Sequence, residues 1–321
     1  MKIELLSFVS HVILVQSAGK EEKTEMIRRR ILYGALAAML LLGAAGAALA
    51  QEPTIACDEV NGSWLYESDS LRVEITRRVF DDPLVWYEVD LRTSDASMLR
   101  GVLSADKKPQ THLKKPETLA REQQLVYAQT DDFYANRLKS KKLKTGVIIR
   151  NGSILYDSVY VGNGNPFPPL DAMALFGDGT MKVFAAREHT ADEYLQMGAV
   201  DVFSFGPILI RDGQMDARVE RRYANREPRS AIGIIEPHHF FSIIVEGRHD
   251  GSVGCGLKRI AERMLEVGVT DALNMDGGQT AALVFLGQQI NQIGAYKGRA
   301  RVRSVGGMIG VSDSAWNGEA P

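Results

Sequence analysis

Short apolar runs, each closed by a turn signal, recur along most of this chain and confine it to a mainly antiparallel β architecture. Residues 71–75 and 85–91 alternate apolar and polar side chains around Asp81-Asp82-Pro83. Residues 146–150 and 153–157 flank Asn151-Gly152, and 173–176 and 181–185 flank Gly177-Asp178-Gly179-Thr180. Period-two alternation marks half-buried strands, and Asn-Gly or Asp-Gly supplies the positive φ of a hairpin turn. Further apolar strands fall at 125–128, 200–205, 208–210, 231–235 and 240–246. Helical signals are few: Pro116 opens a helix burying Leu119 and Ala120, Thr190-Ala191-Asp192-Glu193 is a capping box, and Leu257, Ile260, Ala261, Met264 and Leu265 recur before Gly268. With 45% hydrophobic and 24% charged residues over 321 positions, the pattern predicts an α+β fold. It has a largely antiparallel twisted sheet, a few packed helices and a single main domain. Residues 160–169 read as a rim loop, 215–227 as a charged mobile segment, and His238 and His239 as surface turn residues.

The N-terminus bears on location. Met26-Ile27-Arg28-Arg29-Arg30 is a positive region, residues 31–50 are apolar, and Ala48-Leu49-Ala50 fits a cleavage site. Residues 26–50 thus read as a signal peptide or, uncleaved, an N-terminal membrane anchor, with 1–25 an upstream extension from a misassigned start. Residues 51–115 form an N-terminal strand-rich segment and 116–321 the principal domain. The globular part is expected outside the cytoplasm, with membrane contact only through the uncleaved segment. There Cys57 and Cys255 either pair or remain independent thiols. A formal net charge of −2 gives no basic footprint, so nucleic acid is not an expected partner. No spacing of cysteines and histidines suggests zinc.

Residues 270–285 concentrate the chemistry: an apolar strand runs into Asn274-Met275-Asp276-Gly277-Gly278 and a second apolar strand follows. Paired glycines let the backbone approach a ligand and place Asp276 beside exposed N–H groups. The same residues also fit a β-turn in which Asp276 caps its own backbone.

Residues 274–285, together with Pro228-Arg229-Ser230-Ala231-Ile232-Gly233 and Ile244-Val245-Glu246-Gly247-Arg248, resemble the signature segments of the phosphodiester glycosidase family, in the same order. The similarity spans about 125–311. It departs from the family where Thr130-Asp131 replaces an Asn-Gly pair before Asp132-Phe133-Tyr134, where Glu246 stands in place of Asp, and where Gln279-Thr280-Ala281 replaces a third glycine and serines. The resemblance implies a hydrolase acting on a sugar phosphodiester. Arg229 and Arg248 then bind phosphate through forked hydrogen bonds. Asp276, with Asp132 and Glu246 behind it, acts on the anomeric centre. Asn274 orients Asp276 or bonds a sugar hydroxyl, and Gly277 and Gly278 offer backbone donors to phosphate.

The expectation is an exported hydrolase of a glycosyl phosphodiester on a surface or wall polysaccharide, with a glycan or sugar phosphodiester as partner. The sequence requires no cofactor and leaves a divalent cation open. The alternatives are a metal-dependent phosphodiesterase cutting P–O, with Asp132 and Asp276 as ligands, and a non-catalytic glycan-binding module in polysaccharide assembly.

Overall fold

The computed structural model describes residues 52–107, 109–132, 146–158 and 170–318. The chain separates into Met1–Ala50 and Gln51–Pro321, and only the second contains described residues. The readings of 1–25, 26–50, 160–169 and Phe133-Tyr134 lie outside the described residues.

The unit opens with β1 (Thr54–Asp58), β2 (Ser63–Glu67), β3 (Leu71–Phe80) and β4 (Leu84–Thr93), each paired antiparallel with the next. In β3, Leu71, Val73 and Ile75 are buried while Glu74 is exposed, the alternation expected of a strand with one covered face. After β5 (Leu99–Leu103), helix α1 (Pro116–Glu122) carries Pro116 in its first turn, where no N–H is needed. It leads into β6 (Leu125–Thr130). Strands β7 (Gly146–Arg150), β8 (Ser153–Ser158), β9 (Asp171–Phe176), β10 (Met181–Phe184) and β11 (Ala199–Phe205) form a five-stranded sheet in the order β10-β9-β11-β7-β8. Helix α2 (Ala191–Gln196) precedes β11. Its capping box is complete: Glu193 N–H donates to the Thr190 hydroxyl, and Thr190 N–H donates to the Glu193 carboxylate.

Next come β12 (Ile208–Arg211), β13 (Gln214–Met215), helix α3 (Ala217–Arg221), β14 (Arg229–Glu236), β15 (His239–Val245), helix α4 (Leu257–Glu266) and β16 (Asp271–Met275). A nine-stranded sheet results, ordered β1-β2-β3-β4-β15-β14-β16-β12-β13. The chain then crosses to β17 (Leu283–Phe285) and β18 (Gln288–Gln289). It forms the small hairpin β19 (Ala295–Tyr296) and β20 (Arg299–Ala300), and ends in β21 (Gly307–Ser312). The third sheet is ordered β18-β17-β6-β21-β5. All these pairings are antiparallel, as the α+β reading requires.

The middle of the nine-stranded sheet is covered on both faces. Ala231, Phe241, Ile243, Val245 and Ala272 pack with Leu257, Ile260, Ala261 and Met264 of α4, and Ile232, Ile244, Leu273 and Met275 pack with Tyr127, Met173, Phe203, Leu283 and Ile309 of the smaller sheets. Double coverage explains why all of β15 is buried and its apolar run is nearly continuous.

Two expectations are corrected, and of the two cysteine readings the independent thiols hold. Part of the segment 215–227 is ordered as α3, which starts where the Asp216 carboxylate accepts the Arg218 N–H. His239 is not a surface residue: it is 7% exposed, and its Nε2 lies 3.0 Å from Asp90 Oδ2 on β4. Cys57 and Cys255 are both free, one exposed on β1 and the other buried behind β14. Four strands intervene between β1 and β14. At about 4.8 Å per step they hold the two far beyond disulfide reach.

Candidate active site

Strand register builds the site. Arg229 pairs with Val245 on one side, and Ser230 pairs with Met275 on the other. One residue further along each ladder, Asp276 comes alongside Arg229 and Glu246 alongside Pro228. Close approach confirms this: a Cβ on Gly277 would sit 2.5 Å from Pro228 O and 3.5 Å from Arg229 Cα, and one on Gly247 would sit 3.0 Å from Pro228 N. At both positions glycine permits the backbone proximity. The three resembling segments, distant in sequence, are thus adjacent strand ends.

The Asp276-Gly277-Gly278 segment is not a hairpin turn. It carries the chain from the nine-stranded sheet to the third sheet, passing through a 3-10 turn at Gly278–Thr280. Asp276 N–H donates to Asp131 O (3.0 Å), which ties the end of β16 to the end of β6. The Asp276 Oδ2 accepts the Thr280 hydroxyl at 2.5 Å. Gly278 N–H donates to Pro228 O (3.0 Å). It is therefore not open to phosphate, a correction to the sequence expectation. Gly277 N–H has no protein acceptor among the described residues.

Two guanidinium groups flank this turn. Arg229 donates to Cys255 O (3.5 Å) and Asn225 O (3.1 Å), and its Nη1 has no protein partner among the described residues. Burial holds its pKa below the usual arginine range, Glu227 opposes this, and the like charge of Arg248 adds to it. Arg248 donates from Nε (2.8 Å) and Nη2 (2.7 Å) to Glu227 Oε2, and its Nη1 lies 3.2 Å from where a Gly278 Cβ would be. Its φ of 64° is unusual for a bulky residue. The backbone of residues 294–295 holds it there, since Ala295 N–H donates to Arg248 O (3.1 Å).

The other expected residues are engaged elsewhere. Asp132 is fully buried: its Oδ1 accepts from Arg150 Nη2 (3.0 Å) and its Oδ2 from Ser204 N–H (3.0 Å), while Arg150 lies 3.8 Å over the Phe203 ring. Through these bonds it joins the end of β6 to β7 and β11. Glu246 is 5% exposed. Its Oε1 accepts from Tyr87 OH (3.2 Å) and Gln292 N–H (2.5 Å), and its Oε2 lies 3.2 Å from His249 Nε2. Its carboxylate therefore fixes the 290–292 segment beside Arg248. Asn274 donates from Nδ2 to Gly206 O (2.8 Å), which orients it on the β11–β12 connection and not on Asp276. Its buried Oδ1 has no partner among the described residues.

Sequence reasoning did not identify Glu227, Thr280, His249 or Tyr87 as site residues. Glu227 and His249 adjoin the resembling segments and Thr280 lies within one, a signal that position alone offered. Tyr87 reaches Glu246 only across the β4–β15 pairing. Among the described residues no three His, Cys, Asp or Glu side chains are grouped to hold a metal ion.

A profile of the phosphodiester glycosidase family matches residues 123–312. The SPbeta prophage-derived uncharacterized protein YomE of Bacillus subtilis (strain 168) is 30% identical over 151 residues, an alignment covering 46% of this chain and 23% of YomE. The chain thus spans about a quarter of that relative's length. The fold is similar to that of the zebrafish N-acetylglucosamine-1-phosphodiester alpha-N-acetylglucosaminidase catalytic domain, auto-inhibited by its pro-peptide. The TM-score is 0.58 at 16% identity, over 82% of this chain and 89% of that one. The profile match takes in β6 through β21, and with them every segment that converges on Asp276: the chain belongs to the phosphodiester glycosidase family.

Proposed function

We propose that this protein is a hydrolase that cleaves a glycosyl phosphodiester at its anomeric C–O bond, acting outside the cytoplasm on a surface or wall glycan. The observation that carries the reading is the register that sets Arg229 beside Asp276 with Arg248 at the following glycine. An anion held by the open Nη1 of Arg229, Arg248 and the Gly277 N–H puts the adjoining anomeric carbon within reach of the Asp276 carboxylate. Asp276 takes the proton from an attacking water, or stabilises the oxocarbenium-like state directly. The C–O bond breaks, its electrons leave with the phosphate oxygen, and water oxygen ends on the sugar. Export rests on the charged and apolar N-terminal pattern of residues 26–50. The zebrafish enzyme's name makes N-acetylglucosamine the first sugar to try.

Residues 51–321 and their Asp276→Asn variant would be assayed for release of N-acetylglucosamine from its methyl phosphodiester in oxygen-18 water, with and without a chelator. The expected result is label in the sugar, release insensitive to chelator, and a loss of at least about 1,000-fold in kcat/KM on Asp276→Asn. Label in the phosphate overturns the reading in favour of P–O cleavage, and equal turnover by the variant removes Asp276 from the chemistry.

A further inference from the structure

Residues 294–303 read Gly-Ala-Tyr-Lys-Gly-Arg-Ala-Arg-Val-Arg, a dense run of cations in a chain whose formal net charge is −2. The run folds as an arm beside the site. Tyr296 pairs with Arg299 across β19 and β20, and Lys297-Gly298 turn with φ of 51° and 73°, the left-handed pair that suits a two-residue hairpin. Residues 295–301 are all exposed. Beyond them Val302 and Ser304 are half-buried while Arg303 is exposed. Arg299, Arg301 and Arg303 therefore occupy alternate positions on the outward side.

The arm is held to the site by the site's own residues. Gln279 Nε2 donates to Arg299 O (2.7 Å) and Arg303 N–H donates to Gln279 O (2.8 Å). Ala295 N–H donates to Arg248 O (3.1 Å), and the Arg248 guanidinium lies 5.1 Å over the Tyr296 ring. Lys297, Arg299 and Arg301 make no ion pair among the described residues. Most surface cations are merely solvated. This set differs because its direction is fixed from Arg248 and Gln279, and because it continues the positive charge of Arg229 and Arg248 outward past an exposed aromatic ring. Alternate residues of an extended chain stand about 6.6 Å apart, the scale of one phosphorylated sugar.

We propose that this arm binds the continuing chain of an anionic polymer of sugars joined by phosphodiesters. The preferred substrate is then a poly(glycosyl phosphate) and not an isolated diester. The inference rests on the proposed function for the bond that is cleaved, and on charge complementarity for the polymer. Tyr296 stacks on a sugar, and Lys297, Arg299 and Arg301 each face a phosphate of the flanking repeats.

The test is binding by the Asp276→Asn protein to methyl-capped oligomers of N-acetylglucosamine 1-phosphate with one and four repeats, and to phosphatidylglycerol vesicles. The tetramer should bind at least about tenfold more tightly than the monomer. Its advantage should fall with salt at a log–log slope near −2, from roughly −0.7 per neutralised phosphate. It should vanish in a Lys297→Gln/Arg299→Gln/Arg301→Gln variant that keeps the parent unfolding midpoint, and persist in Arg299→Lys/Arg301→Lys. Equal affinity for one and four repeats overturns the proposal, as does an advantage that survives the triple variant. So does vesicle binding that the triple variant loses without any oligomer preference, which makes the arm a membrane contact. Length-dependent binding without turnover by the parent chain refutes the hydrolase reading alone, and methyl diester turnover without length dependence refutes the arm alone.

Discussion

Replacing Asp132 by asparagine separates a structural carboxylate from a catalytic one. Asp132 and Arg150 have side chains 0% and 3% exposed, and the variant removes the negative half of their 3.0 Å pair. Breaking a buried pair from one side costs about 3–5 kcal/mol. Arg150 keeps the carbonyls of Ile149 (3.0 Å) and Val202 (2.6 Å), with Asp131 Oδ2 3.6 Å away, which favours the low end. Against this, Ser204 N–H now faces either the amide oxygen or the amide NH2. If it is orphaned, the loss grows by about 1–3 kcal/mol. The expected destabilisation is about 3–5 kcal/mol, or roughly 6–15 °C in Tm for a unit of this size. Denaturant unfolding followed by tryptophan fluorescence measures it, with kcat/KM taken per folded molecule on the methyl phosphodiester. Activity should stay within about tenfold of the parent, because Asp132 bonds Arg150 and Ser204. Parent-like unfolding with a loss beyond about 1,000-fold in kcat/KM would refute this reasoning and return Asp132 to the chemistry.

The remaining expectations concern packing, thiols and acid. Alanine at Gly277 brings a Cβ to 2.5 Å from Pro228 O. The strand ends must part by most of an ångström, costing about 1–3 kcal/mol and about 100-fold in kcat/KM; unchanged kinetics would show that the site tolerates a looser register. Burial pushes the Cys255 thiol up to about 12, so an aromatic disulfide reagent at pH 8 should titrate Cys57 in the folded protein and Cys255 only after unfolding. Two thiols titrating at one rate, or none, would contradict the burial. Burial raises the pKa of Glu88, but the hydrogen bonds from Arg263 (2.8 and 3.1 Å) and Trp86, with the charge of Arg78, hold it below its ordinary value. Its stabilisation is therefore complete above the unfolded-state pKa and lost as pH falls through the folded one. Glu88→Gln should cost about 2 kcal/mol at pH 7, with the gap closing below about pH 4.3; a gap independent of pH would sink the assignment.

The sequence displayed what depends on neighbours along the chain. Alternation in β3, the Asn151-Gly152 turn, the capping box at Thr190 and the 257, 260, 261, 264 stripe of α4 each appear where local spacing placed them. What it could not display depends on strand order. Nothing near Asp132 announces that Arg150 and Ser204, 18 and 72 residues away, will enclose it. Likewise, His239 looked like a turn residue until β15 was laid against β4, bringing Asp90 from 149 residues away. Residues 270–285 left a β-turn open for a related reason. Two apolar strands around Asp-Gly-Gly are locally compatible with one, and only the global topology sends β16 and β17 into different sheets. Convergence of the three resembling segments was legible as a resemblance before any pairing was known; its physical cause is the register of β14 between β15 and β16.

The departures from the family pattern at Gln279 and Thr280 gain a meaning from this geometry. A third glycine and a serine were the expected residues, and losing them raised the prospect of a site that binds without reacting. Thr280 keeps a hydroxyl in place, its Oγ1 2.5 Å from both Asp276 Oδ2 and Gly277 O with one proton to donate between them, so the carboxylate keeps a neighbouring hydroxyl. Gln279 adds what glycine lacks, a side-chain donor that holds Arg299 O at 2.7 Å and with it the root of the basic arm. The altered position thus joins the turn carrying Asp276 to the surface assigned to flanking phosphates. Under the proposed function, a change that keeps a hydroxyl beside the carboxylate while anchoring a neighbouring charged surface is read as a shift of substrate, since specificity moves with the contacts that a site adds around an unchanged centre.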